Sequence, residues 1–346
     1  RPGLTYNGRP GASLQGQLQD IETIAVFGEL SYDITETLRL TAGGRWFETD
    51  RRVSENSLYV NTVSDNFDVT KTTDDFSPRV NATWTPTENA MVYATYSEGV
   101  RPGQQNGGVT TNPTAIALGF PREFDADRLI NYEVGTKTTW MQGRILANMS
   151  LFSMDWEDYQ LQTFVAGAGT FTTNAGSASI DGAEGQFALV ASEKWELSTG
   201  FTYLDARLDG PVQVSDAITV GAGGDPLPAV PEWKVNASVV YRTPLNWRGL
   251  DFTGRFDYSF VDESVNGTTA SVSLYGGTGT TPRTQPSYDV GSLYFNVDSP
   301  NGWSFYVGID NLWDERAITY IWPRFGDDRA FTLRPREVVM GFYIDF

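Results

Sequence analysis

Histidine and cysteine are both absent from this 346-residue chain. The first absence removes the side chain that most often serves as general base and metal ligand near neutral pH. The second rules out disulfide bridges and thiolate metal centres. Positive charge is also short: 25 Lys and Arg stand against 43 Asp and Glu, a formal net charge of -18. Nucleic-acid binding needs clustered positive charge, so that partner class is excluded. An acidic surface instead suits cations, or lipopolysaccharide bridged by divalent ions. No apolar run approaches the roughly 20 residues of a membrane-spanning helix. No signal peptide is visible either, since Arg1-Pro2-Gly3 leads into no charged and then apolar stretch. The expectation is a chain that is not an enzyme, needs no cofactor or metal, and has lost a leader or begins inside a longer protein.

What the chain does have is alternation. Apolar and polar residues exchange with period two almost throughout. Ile24, Val26, Leu30 and Tyr32 alternate with Glu29, Ser31 and Asp33. Trp233, Val235, Ala237, Val239 and Tyr241 oppose Lys234, Asn236, Ser238 and Arg242. Val338, Met340, Phe342, Ile344 and Phe346 oppose Glu337 and Asp345. A strand with lipid on one face and water on the other reads this way, which is why a mean hydropathy of -0.31 can coexist with 13% aromatic residues. A soluble β-sandwich also alternates. However, the polar face here is heavily charged, the runs reach the ~9–11 residues of a tilted membrane strand, and Trp and Tyr gather near strand ends.

The connections add a second pattern. About thirteen strands are separated by links that alternate short and long. The short ones fall at 35–37, 85–89, 141–143, 191–194, 243–249 and 299–302. Between them lie long polar segments at about 50–75, 99–128, 157–177, 209–232, 262–287 and 313–335. Tight turns on one side and long loops on the other is the layout of an outer-membrane barrel. The predicted class is therefore all-β, a transmembrane antiparallel up-and-down β-barrel. An odd strand count does not close a bacterial single-chain barrel. With the C-terminus in the periplasm, counting backward also puts the loop-like residues 1–20 outside the cell. Residues 1–346 are accordingly expected to be the C-terminal portion of one barrel domain.

Phe76-Ser77-Pro78-Arg79-Val80, Trp84-Thr85-Pro86 and Val92-Tyr93-Ala94-Thr95-Tyr96-Ser97-Glu98-Gly99 resemble a mid-barrel hairpin of the TonB-dependent receptors of bacterial outer membranes. Tyr132-Glu133-Val134-Gly135 with Lys137 is similar to its next strand, and Asn174-Ala175-Gly176 with Asp181-Gly182 and Glu184 to a later one. Asn311-Leu312-Trp313-Asp314-Glu315 resembles the element before the last long loop, and Tyr343-Ile344-Asp345-Phe346 the terminal strand. The resemblance implies a 22-stranded barrel around an N-terminal plug, with the plug and early strands outside this segment. It implies active uptake of a scarce ligand: a ferric siderophore, a vitamin or an oligosaccharide. It also implies as partners the TonB-ExbB-ExbD complex, acting through the missing N-terminal region, together with the protein's own plug, outer-membrane lipid, and the barrel-assembly machinery reading Phe346. A passive porin is the alternative.

Candidate ligand contacts lie in the long loops: Trp156, Tyr159, Tyr275, Tyr320, Trp322 and Arg324. Their rings suit stacking on a siderophore ring or a sugar face, or else belong to girdles and loop packing. Lumen- or plug-facing candidates are Arg39, Arg45, Arg79, Glu133, Lys137, Lys234, Arg255 and Asp257. The acidic pairs Asp74-Asp75 and Asp327-Asp328 lack a calcium-loop spacing and are read as solvated.

Overall fold

Alternating strands satisfy their backbone hydrogen bonds only by pairing with neighbours, and in lipid that pairing is obligatory. The computed structural model describes residues 5–6, 9–10, 13–59, 62–106, 113–165, 169–174, 176–215, 218–266, 283–324 and 327–345. Thirteen of the described strands form one antiparallel sheet, each pairing with its neighbours in sequence. They are β1 (Ser13–Asp33), β2 (Leu38–Tyr59), β3 (Thr62–Thr87), β4 (Ala90–Arg101), β5 (Asp127–Trp140), β6 (Ile145–Glu157) and β7 (Ala178–Val190). The sheet continues through β8 (Trp195–Leu208), β9 (Trp233–Pro244), β10 (Asp251–Val261), β11 (Tyr288–Ser299), β12 (Trp303–Asp310) and β13 (Glu337–Ile344). β1 and β13 are its two edges. No described helix is long and apolar enough to cross a membrane.

Register sorts side chains into two faces. Val239, Phe256, Leu293, Ile309 and Val338 lie opposite one another from β9 to β13, an apolar row. On the other face Ser150, Glu184, Thr202 and Lys234 stand in line from β6 to β9. The apolar face is bare: Met340 is 68% exposed and Phe342 and Trp140 are each 58% exposed. A water-soluble sandwich would cover such side chains, whereas lipid covers them in a membrane wall.

Aromatic residues set the height of that wall. Phe76 and Trp84 on β3, Tyr132 and Trp140 on β5, Trp195 and Tyr203 on β8, and Trp233 and Tyr241 on β9 are each eight residues apart on the apolar face. Eight residues span roughly 27 Å along a strand. Tilted as barrel strands are, and with the rings' own reach, that fits the roughly 25 Å apolar band between aromatic girdles. Rings of neighbouring strands meet at both levels: Trp195 and Tyr241 have centroids 4.6 Å apart, Tyr203 and Trp233 4.9 Å.

Two expectations change. The segment 50–75 is not a loop: β2 and β3 continue as a paired ladder to Tyr59 and from Thr62. β1 likewise starts at Ser13, within the stretch read as loop-like, because its backbone pairs with β2 up to Tyr59. The wall itself has water on one side and lipid on the other, so a buried core forms elsewhere. It lies in the long loops, where Phe120, Phe171, Leu208, Val212, Val214 and Leu227 pack together.

Candidate ligand-binding mouth

The long connections after β4, β6, β8, β10 and β12 all leave the same rim of the sheet. Three of them, after β4, β6 and β8, fold into one body. The loop after β4 carries a five-residue helix, Pro113–Ala117; the other two carry hairpins, Gln160–Val165 with Gly169–Asn174, and Val212–Ser215 with Ile218–Val220. Phe120 of the first loop stacks on Phe171 of the second with centroids 4.6 Å apart.

Polar side chains tie this body to the wall. Asp127, 3% exposed at the start of β5, accepts hydrogen bonds from the Arg101 guanidinium, from Trp156 Nε1 at 3.1 Å and from the Gln160 backbone N–H at 3.2 Å. A buried carboxylate is tolerable only when so surrounded by donors. The Gln160 side-chain amide donates to the carbonyls of Arg101, Pro102 and Asp125. Asn106 spans two loops, donating to Pro121 and Thr172 carbonyls and accepting from the Thr172 N–H at 2.9 Å. Asn174 donates to the Asp125 and Asp158 carbonyls and accepts from the Asp125 N–H. From β3, Lys71 Nζ reaches the Phe124 carbonyl and the Asp125 carboxylate, each at 2.8 Å.

The aromatic candidates separate accordingly. Trp156 and Tyr159 meet edge-to-face at 4.5 Å, and Trp156 also stacks under the Arg101 guanidinium. Both are half-buried, and burial pushes the Tyr159 phenol above its ordinary value. They serve the loop body first. Tyr320 is 44% exposed beside Phe331, in the hairpin Ile318–Arg324 with Asp327–Thr332. The side chains of Trp322, Arg324, Asp327 and Asp328 lie outside the described residues, as do Tyr275 and Phe346 altogether. Asp75 is committed to Arg128, whose guanidinium meets it at 2.7 Å and also meets Glu98.

The charged inner-wall candidates are largely paired within the wall. Arg39 donates to Asp33 at 2.6 Å, Arg79 stands 4.0 Å from Glu29, and Arg255 donates to Asp257 at 2.7 Å. Arg45 lies over the Phe47 ring. Glu133 accepts from Tyr93 Oη at 2.5 Å, and Lys137 lies over the same ring at 5.8 Å. Gly135 makes that arrangement possible, because a Cβ there would stand 2.6 Å from the Tyr93 ring. Lys234 stands in register with Thr202 and Val261. The Asn311–Glu315 motif is a clasp between β12 and β13: the Asn311 amide donates to the carbonyls of Glu315 and Arg334, and Asp314 accepts the Arg336 N–H at 2.8 Å. That N–H, then Arg316, holds the Asp314 carboxyl below the usual carboxylate range.

Asp127, Gln160, Asn106 and Lys71 were not anticipated. Each is a single polar residue in or beside a loop, and its partners are 15 to 66 residues away. The one available signal is amide side chains placed beside apolar loop residues.

A girdled, polar-lined wall of antiparallel strands with a folded loop layer at one rim defines a segment of an outer-membrane β-barrel. The chain belongs to the TonB-dependent receptor family: the model of the "TonB dependent receptor-like, beta-barrel" domain matches residues 1–312. A curated relative, the probable TonB-dependent siderophore receptor PiuA of Acinetobacter baumannii, is 24% identical over 188 residues, covering 54% of this chain and 24% of the relative. Among solved structures, the ferric yersiniabactin uptake receptor FyuA of Yersinia pestis aligns with TM-score 0.77 and 18% identity, over 96% of this chain and 47% of its own. The copper transporter OprC aligns with TM-score 0.69 and 15% identity, over 94% of this chain and 48% of its own. The chain thus spans about a quarter of the curated relative and about half of these structures. The family is one of receptors and transporters located in the outer membrane.

Proposed function

We propose that this chain is the C-terminal part of the barrel of a receptor that takes up a scarce ligand by TonB-driven transport. One observation carries the reading: the loops over the rim form a packed body with its own core, locked to the wall through Asp127, Gln160 and Asn106. A preorganised layer lowers the entropic cost of gripping a ligand, which a simple diffusion pore has no need to do. The siderophore receptors among its relatives favour a ferric siderophore over a vitamin or oligosaccharide. Tyr320, Trp322 and Arg324 in the distal hairpin, with Tyr275, are the proposed ligand contacts; Trp156 and Tyr159 serve the packing of the loop body.

In this reading the remainder of the protein supplies a plug and an N-terminal segment that TonB engages by strand addition. The TonB-ExbB-ExbD complex provides the energy. Glu133, Lys137, Lys234 and Arg255 line the inner wall toward the plug, and Phe346 marks the chain for barrel assembly. The test is uptake of radiolabelled ferric siderophores by iron-starved cells carrying the full-length protein, with and without TonB. Loss of uptake without TonB supports the reading. Uptake that persists without TonB would make the protein a passive channel.

A further inference from the structure

The inner wall changes character along its arc. On β4 and β5 it carries charge around one ring, Tyr93, which meets Glu133 and lies under Lys137. On β11 to β13 the same face carries three tyrosines, Tyr294, Tyr306 and Tyr343, set by parity against the lipid-facing Phe295, Phe305 and Phe342.

Register places the three rings on a stair. Tyr294 stands opposite Gly308, Tyr306 opposite Gly341, and Tyr343 opposite Ser304. Each ring is therefore two residues of β12 nearer the short turn at 299–302 than the one before, a step of roughly 7 Å. Glycine lets the rings lie flat on the wall: a Cβ on Gly308 would press the Tyr294 ring at 3.1 Å, and one on Gly341 would run into the Tyr306 ring. Tyr306 and Tyr343 stack with centroids 5.9 Å apart and planes 19° from parallel. At the head of the stair Arg255 lies over the Tyr294 ring at 5.9 Å, and Asp310 accepts from Tyr294 Oη. With Thr253, Asn296 and Ser304 the rings line a shallow groove of about 370 Å³.

The shape of this groove selects its occupant. A fixed plug is held where side chains interlock or charges pair. Rings lying flat over glycines leave neither knob nor hole, and the Tyr306 and Tyr343 hydroxyls make no hydrogen bond among the described residues. What they offer is a row of π faces, which bind another ring by offset stacking. Several weak, similar steps let a ligand enter and still leave. The row also points the right way, from the level of Asp310 down to the short-turn end of the wall.

We propose that Tyr294, Tyr306 and Tyr343 form a transit track on the inner wall, along which the aromatic rings of an incoming ferric chelate step toward the periplasm. The inference rests on the receptor reading and narrows its ligand to chelates that bear catechol or phenol rings.

The test uses iron-starved cells carrying the full-length protein, offered radiolabelled iron as a tris-catecholate chelate or as a trihydroxamate chelate, which has no aromatic ring. The catecholate is expected to enter. Tyr306→Ala and Tyr343→Ala are each expected to lower its maximal uptake rate at least about threefold. Half-saturation at the cell surface should stay as in the wild type, because the track lies below the mouth. Tyr306→Phe and Tyr343→Phe, which keep the ring, are expected to recover most of the rate. Heat-modifiable migration on gels checks that each barrel is folded, and Tyr343→Ala, at a side chain 62% exposed, decides the matter if Tyr306→Ala fails that check. No entry of the catecholate, an unchanged rate in the alanine variants, or an equal loss in the phenylalanine variants overturns the track. So does new sensitivity of the alanine variants to a large antibiotic, which would mean that the rings seat the plug. The two readings fail separately. Catecholate entry that is independent of TonB yet slowed by the alanine variants sinks the receptor and leaves the track. TonB-dependent entry of the trihydroxamate alone, or of catecholate indifferent to the loss of both rings, does the reverse.

Discussion

The loop body over β4–β9 and the β2–β3 ribbon stand at the same rim and are built on opposite principles. The loop body is irregular in backbone, held by a buried core around Phe171 and by side-chain amides that cross between loops. The ribbon is regular in backbone. Its ladder runs 14 residues from Thr62 to Asp75, roughly 45 Å, mostly on main-chain hydrogen bonds. Its outer face is solvated charge, and its inner face buries only a thin stripe that includes Phe47 and Val53. Long-range packing is expected to make the first open as a unit, whereas the second is expected to open pair by pair along its ladder. Stability at this rim is thus unevenly distributed, as expected where a ligand must enter.

The comparison breaks most visibly at Phe171. Phe171→Ala removes a ring that is 2% exposed and stacked on Phe120, a loss of about 3–5 kcal/mol for a buried Phe. The three loops are expected to lose amide-exchange protection together while the barrel keeps its heat-modifiable migration. Asp127→Ala comes next. It strands the Trp156 and Gln160 donors, at about 1–3 kcal/mol, and leaves Arg101, itself half exposed, in water. Protease sensitivity near Gln160 should rise more in this variant than in Asp127→Asn, which keeps one acceptor.

The ribbon should respond less. Arg52→Gln removes an exposed ion pair with Asp68 and is expected to change exchange rates by less than about twofold, only in β2 and β3. The pH dependence follows the same logic. Arg52, hydrogen-bonded to Asp68, lowers that carboxyl's value from 3.8. Its contribution is therefore complete above about 3.8 and lost as pH falls through the lowered folded value. Ribbon protection should be flat from neutral pH to about 5 and drop only below 3.8, and Asp68→Asn should abolish that drop.

Much of the barrel could be read from residues alone, because each wall residue answers to a local rule. Whether Val239 or Asn296 faces lipid or water follows from parity along its strand, and the turn at 141–143 follows from its length. The ribbon was misread as a loop, since its Ser, Thr, Asn and Asp residues carry turn propensity that the ladder overrides. The motif at Tyr132–Lys137 was visible, yet its purpose was not: Gly135 is there because Tyr93, 42 residues earlier, lies across it.

By itself, then, the sequence determined the class of protein: strand number, sidedness, the exclusion of histidine and thiolate chemistry, and the family. The exclusions follow from composition, sidedness and strand number from the period of two and the alternating link lengths, and the family from the resemblance of its motifs. Only the tertiary structure decided the mouth. Asp127 sits among donors from Arg101, Trp156 and Gln160, and Lys71 reaches the Phe124 carbonyl and the Asp125 carboxylate, because distant strands and loops were brought to those places. Burial and pairing belong to such meetings, and no spacing within one strand encodes them.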